Sequence, residues 1–525
     1  MHTRRTVLKQ GSWAILASVV PLIMRPARAA TTTAFDYFIS TTGNDANAGT
    51  LASPWAITSL NTKRSTYAGK RVGLIGGIYP VYGLWQNAPD GGPGTPALNV
   101  MGGPNPSTMT YIASCDSSGN YSPRAAQITA SPSGTPGGGL PGTASNSRAI
   151  IGQGSASPTN GMGNVHFDGL SVSDSNGYAF ALRGGQPGAR ANGFIVENCE
   201  IYNVGGYEGN NPGGITQNDC IGNQIKNNKI HDVYEETYQT GWHNCPGIFS
   251  FGCLNNVYTY NTIYNCQSGI YDKDSNNGGH TYAYNYIEMG YVHAQFCIRG
   301  AGEVAGQQKT VHHNIFVLGS TAVSVFDGAC DSGPNYWTPY GSIVFYSNTI
   351  YAEGGFQQGL EWQAQGTSVS PAAATKVWNN LWATPTPSPY SSLILGNSSG
   401  SLGTPIDYNG YFGTTTPGFQ LGSVYPTLAA WQAATGKESH SYNQAGTSGL
   451  FVNPRQAQLP SGYQLVAGSS PAIGKGSTNG LSSGSACDLG AWGYDPALGA
   501  APTQIGANFS TNPNPVPGAP ILNVS

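Results

Sequence analysis

The 525-residue sequence is poor in charged residues. Lys, Arg, Asp and Glu together make up 9% of the chain, against roughly a quarter in an ordinary soluble domain. The 22 basic and 25 acidic residues leave a net charge of −3, which argues against nucleic acid as a partner. The sequence also lacks a CxxC pair typical of structural zinc, and it lacks an apolar run long enough to span a bilayer.

Small and aromatic residues are abundant instead. The chain contains 74 Gly, 30 Tyr and 10 Trp, and 39% of its residues are apolar. This composition excludes a disordered chain and a helical bundle, and it indicates a β-rich protein with many tight turns. Nine cysteines are an odd number, so at least one stays unpaired or pairs between chains, and we expect most to be small buried apolar residues.

The first residues predict an export signal. Arg4 and Arg5 precede the apolar segment Trp13–Met24, and the small-residue site Ala27–Ala29 follows. This arrangement resembles a twin-arginine signal, whose receptor exports folded proteins. We therefore expect a periplasmic or secreted protein without a membrane span.

Nine segments in the middle of the chain share one pattern, apolar-x-x-Asn-x-apolar, at intervals close to 30 residues. The Asn position is occupied by Asp168, Cys199, Asn228, Asn261, Asn285, Asn314, Asn348, Asn380 and Asn409. Such a period with short strands predicts a β-solenoid, and stacked amides are able to hydrogen-bond from coil to coil. We predict an all-β, single-stranded, right-handed parallel β-helix of about ten coils with capped ends.

The same pattern gives the expected organisation. It comprises a signal peptide (1–29), an N-terminal cap with the first coils (30–164), the central coils (165–413), the C-terminal coils and cap (414–495) and an extended tail (496–525).

A second strand recurs in each coil, and its outward positions are the place to seek chemistry. Lys273 and Arg299 fall on neighbouring strands of this face, an expected 5–8 Å apart, and Tyr271 shares a column with Arg299. The coil from Asn261 to Asn285 is the shortest, so longer neighbouring coils are expected to wall a groove there. The other residues assigned to substrate binding are Asn218, Trp242, His243, Phe249, Phe251, His293 and Glu361.

Three segments carry a family resemblance. Gly269–Ser275, Asn285–Ile287 and Phe296–Gly302 resemble the lyase family of chondroitinase B and alginate lyases, within the pectate-lyase-like superfamily of secreted β-helix proteins. In that family a Lys is the general base and an Arg on the next coil assists it, which implies these roles for Lys273 and Arg299. The family's calcium carboxylates correspond here to Cys266 and Ser268, so that site does not carry over.

The chemistry implied is β-elimination on a uronic acid. Lys273 removes the C5 proton, Arg299 neutralises the carboxylate through its fork-shaped guanidinium, and Tyr271 protonates the leaving C4 oxygen. His243 and His293 are spare proton carriers. The expected partner is an acidic polysaccharide, and the protein is expected to be a monomer.

A metal is a weaker expectation. Asp219, Asp232, Glu235 and Glu236 lie within two coils of Lys273 and offer the oxygen ligands that Ca²⁺ takes. Ordinary solvated loop acids are the favoured alternative, so no cofactor is assigned.

Two other functions stay open at this point. An inverting hydrolase needs two carboxyls about 6.5–9.5 Å apart, for which Asp272, Asp274 and Asp219 are the candidates. A non-catalytic glycan-binding β-helix would use the aromatic columns Tyr260/Tyr284 and Phe249/Phe251. In a purely structural interpretation, Lys273 and Arg299 are solvated charges paired with Asp272 and Asp274.

Overall fold

The computed structural model describes most of the chain from residue 34 onward, and all of it belongs to one compact unit, Ala34–Ser525. The described residues are 34–82, 84, 96–131, 149–153, 163–175, 177–184, 190–205, 213–233, 245–273, 278–289, 296–300, 308–319, 324–327, 343–353, 359–362, 375–385, 394–396, 405–413, 418–421, 423–454 and 459–507. The predicted export signal lies outside them.

Three long sheets follow one another in every coil, and the described residues give each sheet twelve strands. Sheet 1 contains Tyr37–Ile39, Arg71–Ile75, Thr110–Cys115, Val165–Asp168, Phe194–Glu197, Gln224–Lys226, Val257–Thr259, Thr281–Ala283, Lys309–His312, Ile343–Tyr346, Lys376–Trp378 and Ile406–Asp407. Sheet 2 contains Gly77–Pro80, Ala126–Thr129, Ser171–Ser173, Glu200–Val204, Lys229–Val233, Thr262–Cys266, Tyr286–Met289, Ile315–Leu318, Thr349–Ala352, Leu381–Ala383, Gly410–Phe412 and Tyr442–Gln444. Sheet 3 contains Leu98–Asn99, Ala149–Gly152, Tyr178–Arg183, Gly213–Asn218, Pro246–Phe251, Ser268–Lys273, Phe296–Gly300, Ser324–Asp327, Leu360–Trp362, Ile394–Gly396, Phe419–Leu421 and Ser423–Tyr425.

Strands within each long sheet pair in parallel, except the antiparallel last pair of sheet 3. Each strand pairs with the equivalent strand of the next coil, which is the connectivity of a parallel β-helix. The predicted all-β parallel β-helix is therefore confirmed, with twelve strands per sheet against about ten expected coils.

Inward side chains of successive coils stack on one another. Ile215, Ile248, Ile270 and Ile298 occupy the same register position in sheet 3, and all are buried. Full burial of one such side chain contributes roughly 1.5–3 kcal/mol. The repeated Gly-Ile pairs in the sequence thus form one apolar column.

Asparagines line the turn between sheets 1 and 2, and we call this column the asparagine row. Six consecutive amide-to-amide hydrogen bonds of 2.9–3.1 Å join Asn228 to Asn409 through the five asparagines between them. The row ends at the buried carboxyl of Glu438, which accepts from the Asn409 amide. Burial raises the pKa of Glu438 to about 7.

The residue before each of these asparagines adopts a left-handed backbone conformation. Tyr260, Tyr284 and His313 have φ values of 58°, 58° and 53°. This conformation is uncommon for bulky residues, and the turn of the coil imposes it at an equivalent place in successive coils.

One coil has a different register from the one expected. The spacing aligned Ala322-Val323 with the inward Ile positions, whereas Phe326 pairs with Ile298 and Asp327 with Arg299. Val325 and Phe326 are buried. The inward position that the spacing gave to Val323 is therefore taken by Phe326, three residues later.

Both ends of the β-helix carry additional secondary-structure elements. Helices Ser59–Thr62 and Arg64–Tyr67 bury Leu60 and Tyr67 near the N-terminal end. Near the C-terminal end, helix Leu428–Thr435 stacks Trp431 on Phe419 with centroids 5.2 Å apart. The remaining short elements are a 3-10 helix, Pro460–Tyr463, and two small ladders, Ala191–Asn192 with Cys220–Ile221 and Gly476–Ser477 with Ala486–Cys487.

Residues 496–507 are the described part of the predicted extended tail, 496–525. Residues 496–507 pack on sheet 2, where Gly506 N donates to Tyr284 O at 2.7 Å and Ala507 N donates to Thr262 Oγ1 at 2.9 Å. Ile505 is buried in the same contact, so apolar burial holds this segment.

The eight described cysteines are buried, as expected of small apolar residues, while Cys330 lies outside the described residues. No helix among the described residues combines the length and apolar character needed to cross a membrane.

Candidate functional site

The strand Ser268–Lys273 of sheet 3 brings the predicted cations to one aromatic ring. Lys273 Nζ lies 5.7 Å from the centroid of the Tyr271 ring, and Arg299 Cζ lies 5.4 Å from the same centroid. Tyr271 and Arg299 are directly paired in register on neighbouring strands. A cation within about 6 Å of a ring face is attracted by the ring quadrupole, so Tyr271 positions both charges.

Aromatic side chains pack around this ring. Phe249 and Phe296 contact Tyr271 edge to face, with centroids 5.6 Å and 5.4 Å away, and Phe251 packs beside them. Tyr271 is fully buried and Phe249 is 5% exposed. Tyr271 is therefore not exposed in an open groove, while contact of Phe249 and Phe251 with a glycan stays a prediction.

The two cations differ in their access to solvent. Arg299 is 5% exposed and also lies over Phe296, 5.5 Å from its ring centroid. Lys273 is half-buried. Arg299 thus contacts both members of one aromatic pair and is nearly buried, whereas Lys273 lies nearer the surface.

Asp272 lies between Tyr271 and Lys273 in the chain but points into the helix. It is fully buried and accepts hydrogen bonds from Tyr258 Oη, at 3.1 Å, and from Tyr282 Oη. Burial raises the pKa of Asp272 to about 7, although Lys309 nearby opposes this rise. Asp272 therefore neither pairs with Lys273 nor reaches a substrate on the outer face, and it cannot serve as a hydrolase carboxyl.

Through Tyr258, Asp272 is connected to a second line of buried polar groups, at the turn between sheets 3 and 1. We call Asn223, Asn256 and His280 the mixed row. Each accepts a hydrogen bond from a backbone N–H of the preceding coil at 3.1 Å. The amides of Asn223 and Asn256 also donate to Gln217. This row lies behind the candidate site, and its side chains were not recognised in the sequence.

The other residues predicted for substrate binding divide into two groups. Asn218 is half-buried and pairs in register with Phe251, which pairs with Lys273. Glu361 continues the column of Arg299 through Asp327. Trp242, His243 and His293 lie outside the described residues, as do the loops expected to wall the groove.

Asp327 was missed by sequence reasoning. The displaced strand Ser324–Asp327 pairs it with Arg299, whereas the expected register gave that place to Ser324. Several apolar residues before Asp327 fit the inward position equally well, so the sequence does not distinguish the observed register from the expected one.

The acids considered for calcium lie on different sheets. Asp219 is half-buried directly after sheet 3. Asp232, in sheet 2, is paired with His231, with His231 Nδ1 2.7 Å from its Oδ2, and also accepts from Asn265. Burial opposes ionisation of Asp232, but the His231 contact prevails and lowers its pKa. Calcium stays a prediction, since Glu235 and Glu236 lie outside the described residues.

The aromatic column Tyr260/Tyr284 is occupied within the protein. The two rings stack with centroids 4.8 Å apart, Tyr284 is 2% exposed, and its hydroxyl donates to Asp495. A sugar therefore has no access to the Tyr284 ring, so this pair of rings does not form a glycan-binding surface.

Comparisons with known proteins identify similar solved structures only. No family model and no curated protein matches the chain. A structure titled rhamnogalacturonan lyase is 16% identical, covering 71% of this chain and 87% of that chain at a TM-score of 0.47. The crystal structure of pectate lyase Pel9A is 14% identical (88% and 99% covered, TM-score 0.47), and a complex of XylC with xylose is 12% identical (78% and 85%, TM-score 0.40). We therefore base function on the residues of this chain.

Proposed function

We propose that this protein is an exported polysaccharide lyase that cleaves a uronic-acid-containing glycan by β-elimination. The observation that carries the proposal is the convergence of Lys273 and Arg299 on the Tyr271 ring from neighbouring strands. The local resemblance of Gly269–Ser275 and Phe296–Gly302 to the chondroitinase B and alginate lyase family supports it, and the twin-arginine segment supports action outside the cytoplasm.

Each cation has a role suited to its surroundings. Arg299, which lies over the rings of Tyr271 and Phe296, binds the uronate carboxylate and stabilises the charge that develops when C5 loses its proton. Lys273, nearer the surface, accepts that proton, and the C4–O bond then breaks as the C4=C5 double bond forms.

Tyr271 receives a different role from the one the sequence suggested. Because it is fully buried between Phe249 and Phe296, we assign it to positioning the two cations, and the leaving oxygen takes its proton from another group. Tyr271→Phe keeps a ring for both cations and removes the hydroxyl. It should retain activity within roughly tenfold, whereas a loss of 100-fold or more would restore the proton-donor role.

The proposal is tested with alginate, pectate, chondroitin and bacterial exopolysaccharides, by following the ultraviolet absorbance of the unsaturated product. Lys273→Ala should lower kcat by roughly 100- to 10,000-fold, the usual contribution of a general base. The matched control is Lys226→Ala, which removes a sheet 1 lysine paired with Glu197 and should leave kcat unchanged.

Other outcomes contradict the proposal. Full activity in a folded Lys273→Ala variant removes the base. New reducing ends without unsaturated product indicate the hydrolase, and binding of a uronate polymer without any product indicates the glycan-binding protein.

A further inference from the structure

His312, His313 and Asp495 form a buried cluster far from the candidate site along the chain and on another face of the coil. His312 ends a strand of sheet 1, His313 follows in the left-handed turn, and Asp495 comes from the C-terminal segment. Their nearest potential ligand atoms all lie within 4.8 Å of one another. The two Nδ1 atoms are 2.9 Å apart, and His313 Nδ1 is 4.0 Å from Asp495 Oδ2.

The hydrogen bonds around the cluster orient it as metal ligands require. His313 Nε2 lies 3.3 Å from the carbonyl oxygen of Tyr494, so it carries the proton and leaves the Nδ1 lone pair of the neutral ring facing the cluster. Ala497 N donates to Asp495 Oδ1 at 2.8 Å, and Tyr284 donates to Oδ2. Metal-binding histidines commonly donate their second N–H to a carbonyl in this way.

Aromatic rings fix the orientation of His312. It stacks on Tyr346 and meets Tyr284 edge to face, at centroid distances of 4.8 Å and 5.3 Å, and both histidines are buried. A neutral imidazole is the form that coordinates a metal.

A second three-residue cluster shows what a satisfied arrangement looks like. In the group His166, Asp168 and Glu197, the Glu197 carboxylate has His166 at 2.6 Å and Lys226 at 2.9 Å. The Asp495 carboxylate is fully buried, accepts hydrogen bonds from Tyr284 Oη and Ala497 N, and lies 4.0 Å from His313 Nδ1. A divalent cation held by the two histidines would compensate its charge.

We propose that His312, His313 and Asp495 bind one Zn²⁺ ion, which fastens the C-terminal segment to the coil of His312. Two imidazole nitrogens and one carboxylate oxygen suit zinc, whereas Ca²⁺ prefers oxygen ligands. The observed 2.9 Å and 4.0 Å separations bracket the ~3.3 Å between ligands in a tetrahedral site with bonds of about 2.0–2.1 Å. The three ligands leave one position for water.

The first test is calorimetric titration of the chelator-treated full chain with Zn²⁺ and, separately, Ca²⁺. We expect one Zn²⁺ per chain and no Ca²⁺ at this site. His313→Gln and Asp495→Asn should each weaken zinc binding by roughly 100-fold or more, since even outer-shell changes cost 10- to 100-fold. The matched controls are His166→Gln, in the ion-paired cluster, and His440→Gln, at an exposed histidine paired with Asp407, and both should keep the wild-type affinity.

A second measurement needs no variant. Zn²⁺ should slow amide hydrogen exchange of the wild-type chain selectively at residues 494–500 and around His313, because it joins these two segments. The proposal is overturned if wild-type protein binds no zinc, if folded His313→Gln and Asp495→Asn proteins both keep stoichiometric zinc, or if zinc leaves exchange at 494–500 unchanged.

Discussion

The asparagine row and the mixed row both run along the inside of the β-helix. They satisfy buried polar groups through different hydrogen bonds. In both, a side chain accepts from a backbone N–H of the preceding coil. In the asparagine row the amide then donates to the next asparagine, whereas in the mixed row it donates to Gln217. The second N–H of each stacked amide donates to a backbone carbonyl, whereas the mixed row also involves the side chains of Tyr258 and, through it, Asp272.

The two rows show which buried hydrogen bonds repeat from coil to coil and which vary. A repeated amide both donates and accepts, so the row continues through seven successive asparagines, from Asn228 to Asn409. The mixed row brings His280, whose pKa burial lowers, to 3.9 Å from Asp272, the inward carboxyl of the Tyr271 strand, whose pKa burial raises. Buried polar groups of this kind are costly unless every partner is present.

The largest effect is expected from breaking the asparagine row at its centre. Asn285→Ala removes hydrogen bonds to Asn261 N and Nδ2, to Tyr258 O and to Asn314 Oδ1. The groups left unsatisfied, together with the cavity, should lower the free energy of unfolding by about 3 kcal/mol or more. Denaturant unfolding measures this, and Thr281→Ala, at a half-buried position of the same coil, should cost under about 1 kcal/mol. Equal losses in both variants would contradict the role of the row.

A smaller and pH-dependent effect is expected in the mixed row. The folded pKa of Asp272, about 7, exceeds its ordinary value of 3.8 because burial disfavours the charge. The protonated folded state is therefore favoured at low pH, and this stability is lost as pH rises from about 4 to 7. Asp272→Asn should cost about 1–2 kcal/mol at pH 5, since one tyrosine loses its acceptor, and this cost should shrink or reverse at pH 8. A difference between variant and wild type that does not change with pH would refute the assignment.

The smallest effect is expected where the asparagine row ends. Glu438→Gln keeps an oxygen for the Asn409 amide and for Tyr411 Oη, which lies 2.9 Å from the carboxyl. Below the folded pKa of about 7 the wild-type group is neutral, so at pH 5 the change should cost under about 1 kcal/mol. Above that pH the variant should be the more stable protein, because it never ionises. A large loss at pH 5 would mean that the end of the row needs more than an acceptor.

The sequence was informative wherever the coil repeats itself. Asn228 to Asn409 and the stacked isoleucines recur at nearly constant spacing, so their placement follows from periodicity alone. Periodicity also placed Tyr271 and Arg299 on one outward column, as the register has it. It did not reveal that Tyr271 is buried, because alternation gives the face of a sheet and says nothing of what covers it.

Contacts between distant segments were beyond the sequence pattern. His313 and Tyr494 are 181 positions apart, and no repeat connects them. The side chains of the mixed row differ from coil to coil, so they form no motif to find. The register at Phe326 failed for a related reason, since several apolar residues in succession fit the inward position equally well.

The free thiols distributed along the helix have a practical consequence. Cys199, Cys220, Cys253, Cys266 and Cys297 belong to successive coils and are buried, so an alkylating reagent reaches each one only when its own coil separates. The order in which these positions become labelled during slow unfolding would record the sequence in which the stack comes apart. The native cysteines thereby serve as built-in reporters at single-coil resolution.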